Sequence, residues 1–160
     1  MAALALGGLV LPVPAFADVS PSDGVRLGKS EAHLYYTGTG ELSADLLAGD
    51  EPFSGWNTVI GEGPSGGAAD DMLVVATLVS DGPEPDRDAM FLGEKLEVWV
   101  TDAKGKALGR RVIDGLLLPA RGTLRAPLWL NNVTCAGELT VHAKFRTDKV
   151  AQTLRLDCGE

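Results

Sequence analysis

The sequence predicts an all-β protein, an antiparallel β-sandwich with a loop-rich N-terminal segment and one short helix. From residue 72 onward, strand-like runs recur roughly every 8–15 residues, which is typical of a sandwich. Turn-forming residues are frequent, with 20 glycines and 9 prolines, and 45% of the 160 residues are apolar. We therefore expect one domain, divided into a signal peptide (1–17), a loop-rich segment that packs on the sandwich (18–71) and the sandwich core (72–160).

The loop-rich segment contains few regular elements. Residues 18–30 are expected to form a loose lead-in, and residues 33–37 a short strand, because aromatic and β-branched residues favour pleated structure. The spacing of Leu42, Leu46 and Leu47, followed by Gly49, predicts two turns of helix over 41–48. Residues 50–71 are rich in glycine and predict a long loop with a short strand at 58–60.

The core segment begins with a nearly continuous apolar run, which predicts a buried strand over 72–79. Pro127 predicts an edge or bulge position for its strand, since proline cannot donate to a ladder. Further strands are expected at 96–101, 106–114, 116–119, 123–130, 139–145 and 150–158. Over residues 72–158 the pattern is similar in general architecture to immunoglobulin-like and fibronectin-like secreted domains, without the Cys…Trp…Cys spacing of true immunoglobulin domains.

The N-terminus has the pattern of an export signal. Residues 2–16 carry no charge, and an apolar run is followed by two prolines and the small-x-small site Ala15-Phe16-Ala17. The run is too short to span a bilayer, and no cysteine lies near the cleavage site. We expect a periplasmic or secreted protein; the alternative is an apolar N-terminal strand.

Both cysteines lie near the C-terminus. Residues 139–145 and 150–158 predict a hairpin, and its register places Cys135 and Cys158 together at the open end. An exported chain with two cysteines is expected to form one disulfide between them. The alternative, a redox or metal pair, calls for closer cysteine spacing or further ligands.

The charge balance argues against nucleic-acid binding. With 14 Lys and Arg against 22 Asp and Glu, the net charge is −8, and such a chain repels phosphate backbones. The expected partner is another envelope protein or a small extracellular ligand, with no membrane span.

Aromatic and polar residues near the glycine-rich loop are the candidate binding residues: Tyr35, Tyr36, Trp56 and Asn57. Long loops with aromatic side chains often carry binding sites, and a flat ring beside polar groups suits a sugar or a peptide. The alternative is that Trp56 closes one end of the core. Trp99 and Trp129 lie in strand-like runs and are expected to be core residues.

The acidic loop over 81–88 is a candidate Ca²⁺ site. Asp81, Glu84, Asp86 and Asp88 supply the hard oxygen ligands that Ca²⁺ takes, although the EF-hand spacing is absent. The other interpretation is a solvated loop at the sandwich edge. Apart from this possible Ca²⁺, no cofactor is expected.

One catalytic motif is present. Residues 63–67 match G-x-S-x-G, the nucleophile elbow of hydrolases, which would make Ser65 a nucleophile. That elbow requires a strand before the serine and a helix after it, whereas proline precedes Ser65 and a strand-like run follows. We therefore expect no catalysis. The sequence favours an exported, disulfide-stabilised binding or accessory protein of the bacterial envelope.

Overall fold

The computed structural model describes residues 24–50, 54–57, 69–81, 89–133 and 135–158, with backbone alone for 54–57, Asp70 and Cys158. These residues form nine strands in two sheets that pack against each other, which confirms the all-β sandwich. The first sheet has the order β2-β1-β4-β7 and the second β3-β9-β8-β5-β6. The strands are β1 (Val25–Tyr36), β2 (Glu41–Leu42), β3 (Ser54–Asn57), β4 (Ala69–Asp81), β5 (Ala89–Asp102), β6 (Ala107–Pro119), β7 (Arg121–Leu130), β8 (Gly137–Phe145) and β9 (Asp148–Cys158).

The predicted helix over 41–48 is wrong. Residues 41–42 form strand β2, and the segment that follows continues along the edge of β1. The Ser43 hydroxyl accepts a hydrogen bond from the Leu34 amide at 2.9 Å, and the Asp45 carboxylate accepts the amides of Ala32 and Leu47. Serine and aspartate compete for local backbone donors in this way, and here that competition outweighs the helical leucine spacing.

Strand β1 begins earlier than the sequence indicates. Residues 25–30, expected as part of a loose lead-in, already pair with β4 from Val25↔Ser80 onward. Ser30, Ala32 and Leu34 turn inward and are buried. The sequence of residues 25–31 contains several polar residues, so it does not show a clear apolar–polar alternation. Only the side chains that point into the sandwich need to be apolar, and even one of these, Ser30, is polar.

The apolar run over 72–79 is a buried strand, as predicted, and it extends to Ala69–Asp81. Met72, Val74, Ala76 and Leu78 are fully buried on the inner side. On the outer face Val75 is 9% exposed, whereas Leu73 and Thr77 are partly buried, because side chains of the flanking strands β1 and β7 cover part of this face. Central position explains why this run does not alternate with polar residues.

The C-terminal hairpin is confirmed. β8 and β9 pair from Gly137↔Leu156 to Phe145↔Asp148, joined by a tight turn at 146–147. Continued outward, the same register places position 135 opposite position 158. Cys135 is disulfide-bonded. The Cys158 side chain lies outside the described atoms, so the pairing Cys135–Cys158 stays a prediction.

Both sheets end on the same side of the sandwich, where β6 and β7 form neighbouring edges. Pro127 does lie in an edge strand, β7, as predicted. The two runs expected at 106–114 and 116–119 are one continuous strand, β6, bent at Gly115 with a φ of 70°. In the part of the chain that the structure describes, no helix has the length and apolar character needed to span a membrane.

Candidate functional site

An aromatic pair, an exposed tryptophan and a partly buried tyrosine, lies on the outer face of the four-stranded sheet. The ring centroids of Tyr35 on β1 and Trp129 on β7 are 5.1 Å apart, with the ring planes at 64°. Trp129 remains 42% exposed although its neighbours Leu128 and Leu130 are buried. Alternation along β7 therefore turns the indole out to solvent, above the central strand β4. We call Tyr35, Trp129 and Asp71 the aromatic platform.

Asp71 holds the indole in place. One carboxylate oxygen accepts the Trp129 Nε1–H at 3.1 Å, and the other accepts the backbone amide of Asn132 at 3.2 Å. Asp71 pairs with Tyr35 in the β1–β4 ladder, so it stands between the two strands that carry the rings. A charged acceptor that ties both a side chain and a turn limits the motion of each.

Charged side chains border the platform on the same face. Arg125 of β7 reaches across β4 and forms an ion pair with Glu31 of β1. The Glu31 carboxylate also lies 3.5 Å from Nε2 of His33, and Nδ1 of His33 lies 2.9 Å from the Ser43 carbonyl oxygen. The face thus combines two aromatic rings with acceptors and a guanidinium, a mixture suited to binding a polar organic ligand or a protein surface.

The structure separates the predicted binding residues. Tyr35 lies on the outer face, whereas Tyr36 packs against the hydrophobic core. Trp56 and Asn57 lie in β3, which pairs in parallel with β9 in the other sheet. Their side chains lie outside the described atoms. The short strand expected at 58–60 also lies outside the described residues, directly after β3.

The prediction that Trp99 and Trp129 are core residues is wrong. Both lie on outer faces, one in each sheet, between buried residues of the same strand. The apolar residues on either side of each tryptophan are the ones that enter the core. The alternation of Leu128, Trp129 and Leu130 cannot be assigned to a face from sequence, because all three are apolar.

Trp99 forms a second aromatic contact on the five-stranded sheet. Its ring stacks on His142, with centroids 4.8 Å apart and planes at 6°. His142 Nε2 lies 3.1 Å from the Thr101 hydroxyl. Desolvation lowers the pKa of His142 below its ordinary value, so the neutral ring is favoured. Trp99 is more enclosed than Trp129 and presents less ring to a ligand.

The other candidate sites fall mainly outside the described residues. Of the acidic loop, Asp81 is described, and its carboxylate lies 3.4 Å from the Arg26 guanidinium. Glu84, Asp86 and Asp88 lie outside, as do Ser65 and the predicted leader. The described residues contain no cluster of three potential metal ligands. The Ca²⁺ and hydrolase hypotheses stay untested predictions.

No protein-family model matches the chain, and no curated protein matches it in sequence.

Proposed function

We propose that the chain is an exported, disulfide-stabilised binding or accessory protein of the bacterial envelope, without catalytic activity. Its binding surface is the aromatic platform and the Glu31–Arg125 pair beside it. The partner is another envelope protein or a small extracellular ligand in the periplasm or outside the cell.

The observation that carries this proposal is the fixed but exposed indole of Trp129. A tryptophan that is 42% exposed would normally move among rotamers, yet Asp71 and Tyr35 hold this one. A side chain ordered before binding loses less conformational entropy when a partner arrives. Tryptophan, tyrosine and arginine are also the residues that most often dominate binding energy at interfaces.

Export is supported by the uncharged apolar run and small-x-small site of residues 1–17. The disulfide at Cys135 is consistent with an oxidising compartment. Sequencing of the native N-terminus should give Asp18 as the first residue, and a non-reducing peptide map should link Cys135 to Cys158. An intact leader together with free thiols would contradict this part of the proposal.

The platform is tested by comparing three variants. Native envelope fractions are cross-linked to the purified protein, and each cross-linked species is quantified for wild type, Trp129→Ala, Tyr35→Ala and Trp99→Ala. The first two variants remove the two rings of the platform, while the third removes a ring from the opposite face. We expect Trp129→Ala and Tyr35→Ala to weaken capture of the same species at least about tenfold, the usual effect of removing a hot-spot side chain.

Trp99→Ala is the matched control and should leave capture unchanged. Far-ultraviolet circular dichroism and a thermal melt establish that each variant is folded. Full capture by folded Trp129→Ala and Tyr35→Ala would refute the platform as the binding surface. Equal loss in all three variants would also refute it, since the effect would then not depend on this face.

A further inference from the structure

Strand β6 is the outermost strand of the five-stranded sheet, and it is 13 residues long. Among the strands that the structure describes, none pairs with its outer side. β6 also concentrates exposed apolar surface, with Leu108 and Val112 each 40% exposed and Leu117 67% exposed. Phe91, 71% exposed, pairs with Leu117 from the neighbouring strand β5. A long edge with apolar side chains is a template for pairing with another strand.

Charged side chains on an edge strand usually prevent it from pairing with another strand, but the charges on β6 already have partners within the protein. Arg110 is bonded to Glu97 of β5 at 2.7 Å, and Asp114 to Lys95 of β5 at 3.0 Å. Arg111 turns to the other sheet and donates to the Pro127 carbonyl oxygen at 2.5 Å. The charges on the outer face are therefore balanced by partners on the same sheet, and the side chains of Arg110 and Asp114 remain 59% and 66% exposed.

The outer face of β6 is self-complementary about Val112, because charged residues of opposite sign, and then leucines, lie on its two sides. Arg110 and Asp114 stand two residues to either side of it, and Leu108 and Leu117 stand beyond them. The extra residue on the second side is Gly115, whose φ of 70° bends the strand so that Leu117 turns outward between buried Leu116 and Leu118. Apolar and charged positions therefore alternate symmetrically along the strand.

We infer that β6 pairs antiparallel with β6 of a second copy of this chain, around a two-fold axis at Val112. In this register, Arg110 of each copy lies opposite Asp114 of the other. A row of alternating charge then crosses four strands: Glu97 of β5 and Arg110 of β6 in one copy, followed by Asp114 of β6 and Lys95 of β5 in the second copy. Val112 meets its own copy at the axis, and Leu108 lies beside Leu117 of the second copy. The two five-stranded sheets become one continuous sheet.

Neighbouring registers are less favourable. Side chains that pair across the two copies must lie on the same face of the sheet, so the two-fold axis must pass through a residue of β6. Moving the axis by one residue shifts the pairing of the two strands by two residues. An axis at Arg110 or at Arg111 places two like arginines against each other. An axis at Ile113 places Val112 opposite Asp114 and leaves both charged residues without a charged partner in the second copy. The register at Val112 joins opposite charges and apolar pairs together.

The decisive experiment uses two single variants of the full chain and their mixture. Arg110→Asp places Asp opposite Asp114 in a homodimer, and Asp114→Arg places Arg opposite Arg110. Sedimentation equilibrium should show a wild-type dimer at micromolar to millimolar concentration. Like charges at two symmetry-related positions should raise the dissociation constant of each variant alone at least about tenfold.

An equimolar mixture of the two variants should dimerise again, because each copy then presents the charge that the other needs. This recovery distinguishes an interface from damage to the fold, since a misfolded variant cannot be rescued by mixing. Arg155→Asp, a charge reversal at an exposed arginine of β9 in the same sheet, is the control and should leave the wild-type dimer unchanged. A monomeric wild type up to millimolar concentration would overturn the inference. Folded single variants that dissociate and fail to associate when mixed would overturn the Val112 register.

Discussion

A Cβ atom on Gly109 of β6 would lie 2.3 Å from the Cδ2 methyl carbon of Leu130 on β7. Leu130 is 3% exposed, and its side chain fills the space between the two sheet edges directly beneath Gly109. The absence of a side chain at position 109 therefore lets the two edges approach each other. This contact closes the side of the sandwich formed by β6 and β7, which are edge strands among the strands that the structure describes.

Gly109→Ala is expected to destabilise the protein by about 1–3 kcal/mol, because the added methyl group must displace a buried leucine. The measurement is the free energy of unfolding from urea titration. Gly93→Ala is the control, since a Cβ there meets no atom within 4 Å. If the contact is the cause, Leu130→Ala should cost less in the Gly109→Ala background than in wild type. Additive costs would contradict the proposed clash.

Asp71→Ala removes the acceptor for both the Trp129 indole and the Asn132 amide. We expect a loss of about 1–2 kcal/mol in the free energy of unfolding, together with freer motion of the indole. The motion is measured as fluorescence anisotropy of Trp129 in a background where Trp56 and Trp99 are replaced by phenylalanine. Asp157→Asn, which weakens the ion pair with Arg155, is the comparison and should cost under about 1 kcal/mol. Unchanged anisotropy in Asp71→Ala would show that Tyr35 alone fixes the ring.

His142 makes the stability depend on pH. Its pKa is lowered in the folded protein by desolvation, so the unfolded chain takes up a proton first as the pH falls. The stabilising contribution is therefore complete above the ordinary pKa of 6.5 and is lost as the pH falls through the lowered folded value. Denaturant titrations between neutral and mildly acidic pH should show this slope, and His142→Gln should reduce it. An identical slope in both proteins would assign the effect to other groups.

Loss of the disulfide should destabilise the protein without changing its fold. Joining Cys135 to Cys158 closes a loop of about 24 residues, which corresponds to about 3 kcal/mol in the chain-entropy estimate. Cys135→Ser, Cys158→Ser and the double variant should therefore share one lower melting temperature. Adding a reductant should bring wild type to that temperature and leave the variants where they are. A melting temperature that differs between the two single variants would contradict a bond between these two residues.

The fold could be predicted where short-range pattern and tertiary context agree. In β8, Leu139, Val141 and Ala143 alternate with polar residues, and the structure buries those three. Leu42, Leu46 and Leu47 have a helical spacing, but the neighbouring β1 edge offers amides that Ser43 and Asp45 satisfy. These amides belong to Leu34 and Ala32 of β1, which lie outside the segment 41–48 whose leucine spacing indicates a helix. The helix prediction therefore failed because this segment pairs with a strand that precedes it by about ten residues.

The candidate site was only partly predictable for the same reason. Tyr35 stood out because it is aromatic and lies beside a glycine-rich region. Its partner Trp129 is 94 residues away, and the Asp71 carboxylate joins them only because β4 lies between β1 and β7. No local pattern places three strands from distant parts of a chain in one sheet.

The parallel pairing of β3 with β9 ties an early strand to the last one. The five-stranded sheet therefore cannot be completed until residues up to 158 have left the ribosome. A chain that is interrupted before Asp148 leaves β3 without its partner and leaves the β9-facing edge of β8 unpaired. Assembly of this sandwich is thus a late event that follows synthesis, and shortened products should be recognised by proteases instead of accumulating as folded intermediates.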